Sequence, residues 1–161
     1  MLLLLVVPAA CGFHVVGMGS WPEAWPGYRI ASQLAGIEGE DFSSALQRAL
    51  VRRGADPEQT PRVEITLRAL TARKAISALD ARGQAAEFEL QRQLAFRVRA
   101  GAYASPELQV TAQRRLSFDP ALALAKQQEE AQIEEALNRE LIELLILRLE
   151  AELRALNPAG A

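Results

Sequence analysis

Between Val63 and Phe118 the chain alternates apolar and polar residues through three long segments joined by short turns, and that pattern leaves few folds open. Val63, Ile65, Leu67 and Ala69 fall on one side, with Arg62, Glu64, Thr66 and Arg68 on the other; this is the period of a strand with one buried face. At Ala69-Leu70 the apolar phase slips by one residue. A β-bulge absorbs such a slip, so the strand is expected to run on through Ile76 toward Leu79. Asp80-Ala81-Arg82-Gly83 turns the chain. Beyond it Phe88, Leu90, Leu94, Phe96 and Val98 alternate with Glu87, Glu89, Gln91, Gln93, Arg97 and Arg99, which predicts a long hairpin with a projecting tip. Tyr103-Ala104-Ser105-Pro106 is expected to turn again, and Leu108, Val110, Ala112, Leu116 and Phe118 form the next strand of a meander.

The flanking segments supply the layer that this meander needs. Tyr28, Ile30 and Leu34 share one side of a first strand over 28–34, and Gly36 with Gly39 is read as a turn. With Asp41 as a cap, Phe42, Ala45, Leu46, Ala49 and Leu50 recur at helical spacing until Gly54 stops them, a helix of about three turns. Asp56 to Pro61 is a polar loop. After the meander, Asp119 is placed to cap a helix with Pro120 at its first position. Ile133, Leu137, Leu141, Leu144, Leu145, Leu149, Leu153 and Leu156 form one apolar stripe along it, and Asn157-Pro158 ends it. Such a helix reaches roughly 55 Å at 1.5 Å per residue, and its apolar-poor start, Lys126 to Gln132, is expected to stand clear of the core. The order β-α-β-β-β-α predicts an α+β fold: two helices packed on one face of a four-stranded mixed sheet. A right-handed crossover makes its first two strands parallel.

Arg92 and Arg114 break the pattern, because both fall in the apolar phase. An unpaired cation facing a core is costly, so either a bulge or edge lets their heads reach water, or an acid of a partner or ligand meets them. The formal charge of −2 over 161 residues gives no electrostatic case for nucleic acid. One cysteine and one histidine give neither a disulfide framework nor a cysteine-based metal cluster, and His14, three residues from Cys11 in the stretch before the first strand, is poorly placed to build a catalytic dyad or a metal site. No Gly-rich phosphate loop follows a strand, and the carboxylates of the last helix read as a solvated face. These observations point to a protein that binds rather than catalyses, with no cofactor.

The lone cysteine is placed for another chemistry. Leu2-Leu3-Leu4-Leu5-Val6-Val7-Pro8-Ala9-Ala10 leads directly to Cys11, an apolar run closed by small residues as in a bacterial lipoprotein signal. In that reading cleavage precedes Cys11, which then carries a diacylglycerol and an N-acyl chain. One acyl chain binds only marginally, whereas three hold a protein on a membrane essentially permanently. The run departs from the usual signal in having no Lys or Arg before it. A buried first strand with a core cysteine is the other reading. A transmembrane helix is excluded, since a span needs roughly 20 apolar residues. The organisation expected is a signal peptide over 1–10, a lipidated linker over 11–27, one domain over 28–157 and a short tail over 158–161. In the linker, Trp21 and Trp25 each sit before a proline that holds them extended, free to pack on the domain, on lipid headgroups or on a partner.

The Cys11-Gly12-Phe13-His14 start, the hairpin turn at Gly83-Gln84 with Ala86-Glu87-Phe88 behind it, and Asp119-Pro120 followed by Ala123-Leu124-Ala125-Lys126 resemble the lipopolysaccharide-assembly lipoprotein family, LptE. The resemblance extends in element order over nearly the whole chain after Cys11. It implies an outer-membrane lipoprotein, lipid-anchored on the periplasmic side, that plugs the lumen of the lipopolysaccharide-translocating β-barrel (LptD-like), aids its assembly and binds lipopolysaccharide. Gly12 after the cysteine is similar to the sorting pattern for release to the outer membrane. Lys126 falls on the family's basic residue in the Ala-Leu-Ala-Lys stretch, implying a contact with lipopolysaccharide. Arg82 lies one position after the family's basic residue in the hairpin turn, where this chain has Ala81, and is either its shifted equivalent or a plain turn residue. A rival function from the residues themselves is a lipoprotein accessory of another envelope transport or secretion complex that binds protein only.

Overall fold

The computed structural model describes residues 27–119 and 122–156. The elements are β1 (Tyr28–Ser32), α1 (Gly36–Arg52), β2 (Val63–Leu79), β3 (Ala85–Ala100), β4 (Tyr103–Ala104), β5 (Leu108–Ser117) and α2 (Ala123–Leu156). β1 pairs parallel with β2, and β2, β3 and β5 pair antiparallel in sequence order. The result is the expected α+β mixed sheet under two helices.

One core lies between the sheet and the helices. It joins Phe42, Leu46 and Leu50 of α1 to Ile65, Leu67, Leu94, Phe96 and Val98 of the sheet and to Leu137, Leu141, Leu145 and Leu149 of α2. Ile142 and Ile146 of α2 are buried as well, so its apolar face is wider than the predicted stripe. This face lies chiefly along β5 and β3. The first turns of α2 are largely exposed, as its polar start implied. No helix among the described residues is long and apolar enough to cross a membrane.

The phase slip in β2 is a register shift between Leu67 and Ala69. Val63, Ile65 and Leu67 face the helices; one residue is then absorbed, so that Leu70 rather than Ala69 continues that face opposite Leu94. The hairpin turn is tied by Asp80, whose carboxylate accepts the backbone N–H groups of Arg82 and Gln84, both at 2.8 Å. Gly83 takes φ +75°, a left-handed conformation that the turn requires and glycine allows.

Two boundaries differ from expectation. Helix α1 begins at Gly36, five residues before the predicted cap, and Ala35 at its N-cap makes no side-chain cap bond. Its first turn folds down onto the end of β1: a Cβ on Gly39 would lie 2.6 Å from Cβ of Leu34, so glycine is what permits the approach. Close packing here overrides the weak helix propensity of a Gly-Ile-Glu-Gly stretch. The second difference is β4, where a turn is predicted. Tyr103 and Ala104 pair with Ala100 and Arg99 along the edge of β3 that β5 occupies farther on. Ser105 separates the two pieces without leaving β3 unsatisfied: its backbone N–H donates to the Val98 carbonyl at 2.8 Å and its Oγ accepts the Val98 N–H at 2.9 Å. The fourth lane of the sheet is therefore one interrupted edge, made of two strands.

Candidate functional site

The helix-facing side of the sheet divides into rows fixed by strand register. Near the hairpin tip, Ile76, Phe88 and Leu116 lie abreast on β2, β3 and β5. Next come Lys74, Leu90 and Arg114, then Ala72, Arg92 and Ala112, and only below these the apolar row of Leu70, Leu94 and Val110. Cations thus form a band between the main core and the apolar row at the hairpin end.

Each cation of the band reaches a helix. Lys74 Nζ donates to both carboxylate oxygens of Glu130 at 2.7 and 2.6 Å, and it also lies 4.7 Å from the centroid of the Phe88 ring. Arg114 bonds Glu140 at 2.6 Å. Arg92, only 7% exposed, donates to Asn138 Oδ1 at 2.9 Å and pairs with Glu38 in the first turn of α1. Its Nε is buried with no hydrogen-bond partner among the described residues. Arg92 and Arg114 therefore meet partners on the helices of the same domain. Sequence patterning missed Lys74, although it falls in phase with Leu70 and Ile76 once the bulge is placed.

Lys126 and Arg82 both stand at the hairpin end. Lys126, at the end of the first turn of α2, bonds Ser117 Oγ of β5 at 3.1 Å and Glu129 at 2.7 Å. Its charge is partly committed within the domain. Arg82 lies in the turn itself, exposed, with its backbone held by Asp80 and no ion-pair partner for its guanidinium among the described residues. No hydrogen bond or shared partner joins Arg82 to Lys126 among the described residues.

Apolar side chains are exposed at the same end. Ile76 is 56% exposed, Leu79 60%, Leu122 54% and Leu124 73%, four of the seven exposed large hydrophobic residues among those described. Behind them Phe88 and Phe118 meet edge to face with centroids 5.3 Å apart. The end thus offers apolar surface beside lysine and arginine, the combination that suits an amphiphile with acyl chains and an acidic headgroup. Cys11, His14, Trp21, Trp25, Pro120 and the 158–161 tail lie outside the described residues.

The class of fold is an α+β domain, two helices on one mixed sheet with a long β2–β3 hairpin. The family model for lipopolysaccharide assembly, LptE, matches residues 30–149, and the chain belongs to this family. Solved structures repeat the fold. The NMR structure of an uncharacterized lipoprotein B from Nitrosomonas europaea matches with a TM-score of 0.66 at 22% identity, covering 92% of this chain and 94% of that one. The crystal structure of the rare lipoprotein B from Shewanella oneidensis matches with a TM-score of 0.63 at 18% identity, covering 79% of this chain and 98% of that one. A minor lipoprotein from Acinetobacter baumannii matches with a TM-score of 0.59 at 14% identity, over 77% and 91% of the two chains. No curated protein matches the chain.

Proposed function

We propose that this protein is a non-catalytic outer-membrane lipoprotein, anchored through Cys11 after loss of residues 1–10, that supports assembly of the lipopolysaccharide-translocating barrel, plugs it, and binds lipopolysaccharide during its delivery. The observation that carries this reading is the family match over 30–149, together with a hairpin end that sets Arg82 and Lys126 among exposed apolar side chains. Lipid A presents phosphates above acyl chains, and both parts have a counterpart there. Charge-assisted contacts to the phosphates give orientation, and apolar contacts add area without direction.

The test is lipopolysaccharide retention by the full chain in detergent. Lys126→Asp with Arg82→Ala should weaken retention at least tenfold at low salt, with a smaller loss at high salt where the wild-type contacts are already screened. Circular dichroism should show the double variant folded, with at most a modest drop in melting temperature from the lost Ser117 and Glu129 contacts, and copurification of a large β-barrel partner should not change. Unchanged lipopolysaccharide retention by a folded double variant overturns the site. Recovery of an inner-membrane or secretin partner in place of a barrel overturns the function in favour of a protein-only accessory.

A further inference from the structure

The face of the sheet turned away from the helices changes character along its length. In the middle it carries small and neutral residues: Ala69 and Thr71 on β2, Gln93 and Ala95 on β3, and Gln109 and Thr111 on β5. At the end opposite the hairpin it carries arginines. The parallel register sets Arg29 beside Glu64, and the antiparallel register sets Glu64 beside Arg99, so the three form one row across β1, β2 and β3. Arg62 enters just before β2, its backbone N–H donating to the Gly27 carbonyl at 3.4 Å. Arg29, Arg62, Glu64 and Arg99, with Pro61 and Gly101 at the margin, line an open cleft of about 260 Å³.

The charges in this cleft do not balance. Glu64 is the single carboxylate of the lining and is taken by Arg99, with N–O 3.2 Å. Arg29 and Arg62 have no ion-pair partner among the described residues. Like charges gathered on neighbouring strands repel, and an anion between them removes that cost. Guanidinium groups present planar paired donors that match phosphate oxygens, which lysines would not do as well. The cleft is open and, at about 260 Å³, has room for a phosphate group between its arginines.

We propose that this cleft binds a phosphate group, carried either by an anionic phospholipid headgroup or by a free organic phosphate. The site is independent of the hairpin end. It lies where the chain enters the domain, since Gly27 and the start of β1 border it.

Titration of the nitrogen-15 arginine-labelled full chain, held in zwitterionic detergent, tests the proposal. The probes are dihexanoyl phosphatidylglycerol, dihexanoyl phosphatidylcholine and glycerol phosphate, followed by the Nε–Hε signals of Arg29, Arg62 and Arg99. Phosphatidylglycerol should shift these signals saturably and phosphatidylcholine should not. Arg29→Gln with Arg62→Gln should weaken binding at least tenfold at an unchanged melting temperature. Glu64→Gln should tighten it severalfold by removing the opposing carboxylate, a gain that loss of structure would not produce. The Lys126→Asp, Arg82→Ala variant should bind like wild type. Equal binding of phosphatidylglycerol and glycerol phosphate assigns the site to phosphate of either source, and binding of phosphatidylglycerol alone assigns it to the lipid headgroup. No shift with any probe, equal response to both lipids, or full binding by the folded double arginine variant overturns the proposal.

Discussion

Replacing Arg92 with methionine should leave the domain as stable as before or up to about 1 kcal/mol more stable. The substitution removes the hydrogen bond to Asn138, worth about 1.5–3 kcal/mol for a charged donor, and the ion pair with Glu38. The Glu38 side chain is 59% exposed, so solvent screening keeps that pair near ~1 kcal/mol. Against these losses stands the buried, unpartnered Nε, which costs about 1–3 kcal/mol, and the desolvation of a guanidinium that is nearly sealed from water. Buried ion pairs replaced by apolar groups of similar volume are often neutral or stabilising for this reason. Glu38→Gln should behave differently in the two backgrounds. With Arg92 present it leaves a buried cation short of its counter-ion and should cost about 1–2 kcal/mol more than in the Arg92→Met background. Any loss of favourable interaction between Glu38 and the N-terminus of α1 occurs in both backgrounds and cancels from the cycle. Urea unfolding followed by circular dichroism measures all four proteins, provided the slope with denaturant is constant. Thermal scans should show a change of about 3–4 °C per kcal/mol for a domain of this size. A loss of more than ~2 kcal/mol for Arg92→Met, or an equal cost of Glu38→Gln in both backgrounds, would refute this account of the charged band.

Leu141 is fully buried against the sheet, and Leu141→Asp should destabilise by several kcal/mol by placing an unpaired carboxylate in the core; an unchanged melting temperature rules that out. Tyr28 and Tyr103 have pKa values raised above 10.0, the first by burial and then by Asp56, the second by its hydrogen bond to Glu152. The folded state favours their neutral forms, so their stabilising contribution is full below about pH 10, the unfolded value, and is lost as pH rises through the raised folded values. Unfolding midpoints should fall in that alkaline window, and Tyr28→Phe with Tyr103→Phe should flatten the fall; a fall of the same slope in the double variant contradicts it. Cys11→Ala should abolish lipidation, leaving an uncleaved precursor or a soluble form by mass spectrometry and fractionation, and normal outer-membrane fractionation of this variant would exclude the proposed anchor.

The long strands, their bulge, the hairpin and the final helix were legible because each rests on a local period. A strand with one buried face must alternate, and the slip at Ala69-Leu70 must appear in any sequence that keeps Leu67 and Leu70 on the same side. The apolar stripe of α2 is local in the same sense, and the stretch around Lys126 could be matched to a family for that reason. What the tertiary structure decided are the features made by residues far apart in sequence. Helix α1 starts at Gly36 because Gly39 lies against Leu34 and Glu38 meets Arg92, two contacts that helix propensity does not contain. The fourth lane of the sheet breaks at Ser105 because its hydroxyl can serve the Val98 backbone in place of a strand partner. Arg92 and Arg114 stood out as cations in an apolar phase, yet only the placement of α2 over β3 and β5 gave them Asn138 and Glu140. The arginine cleft follows the same logic, since Arg29, Arg62 and Arg99 become neighbours only through the pairing of three strands. Alternation tells which side of a strand a residue faces; which charges then share that side depends on strand order and register, which are set by the whole core.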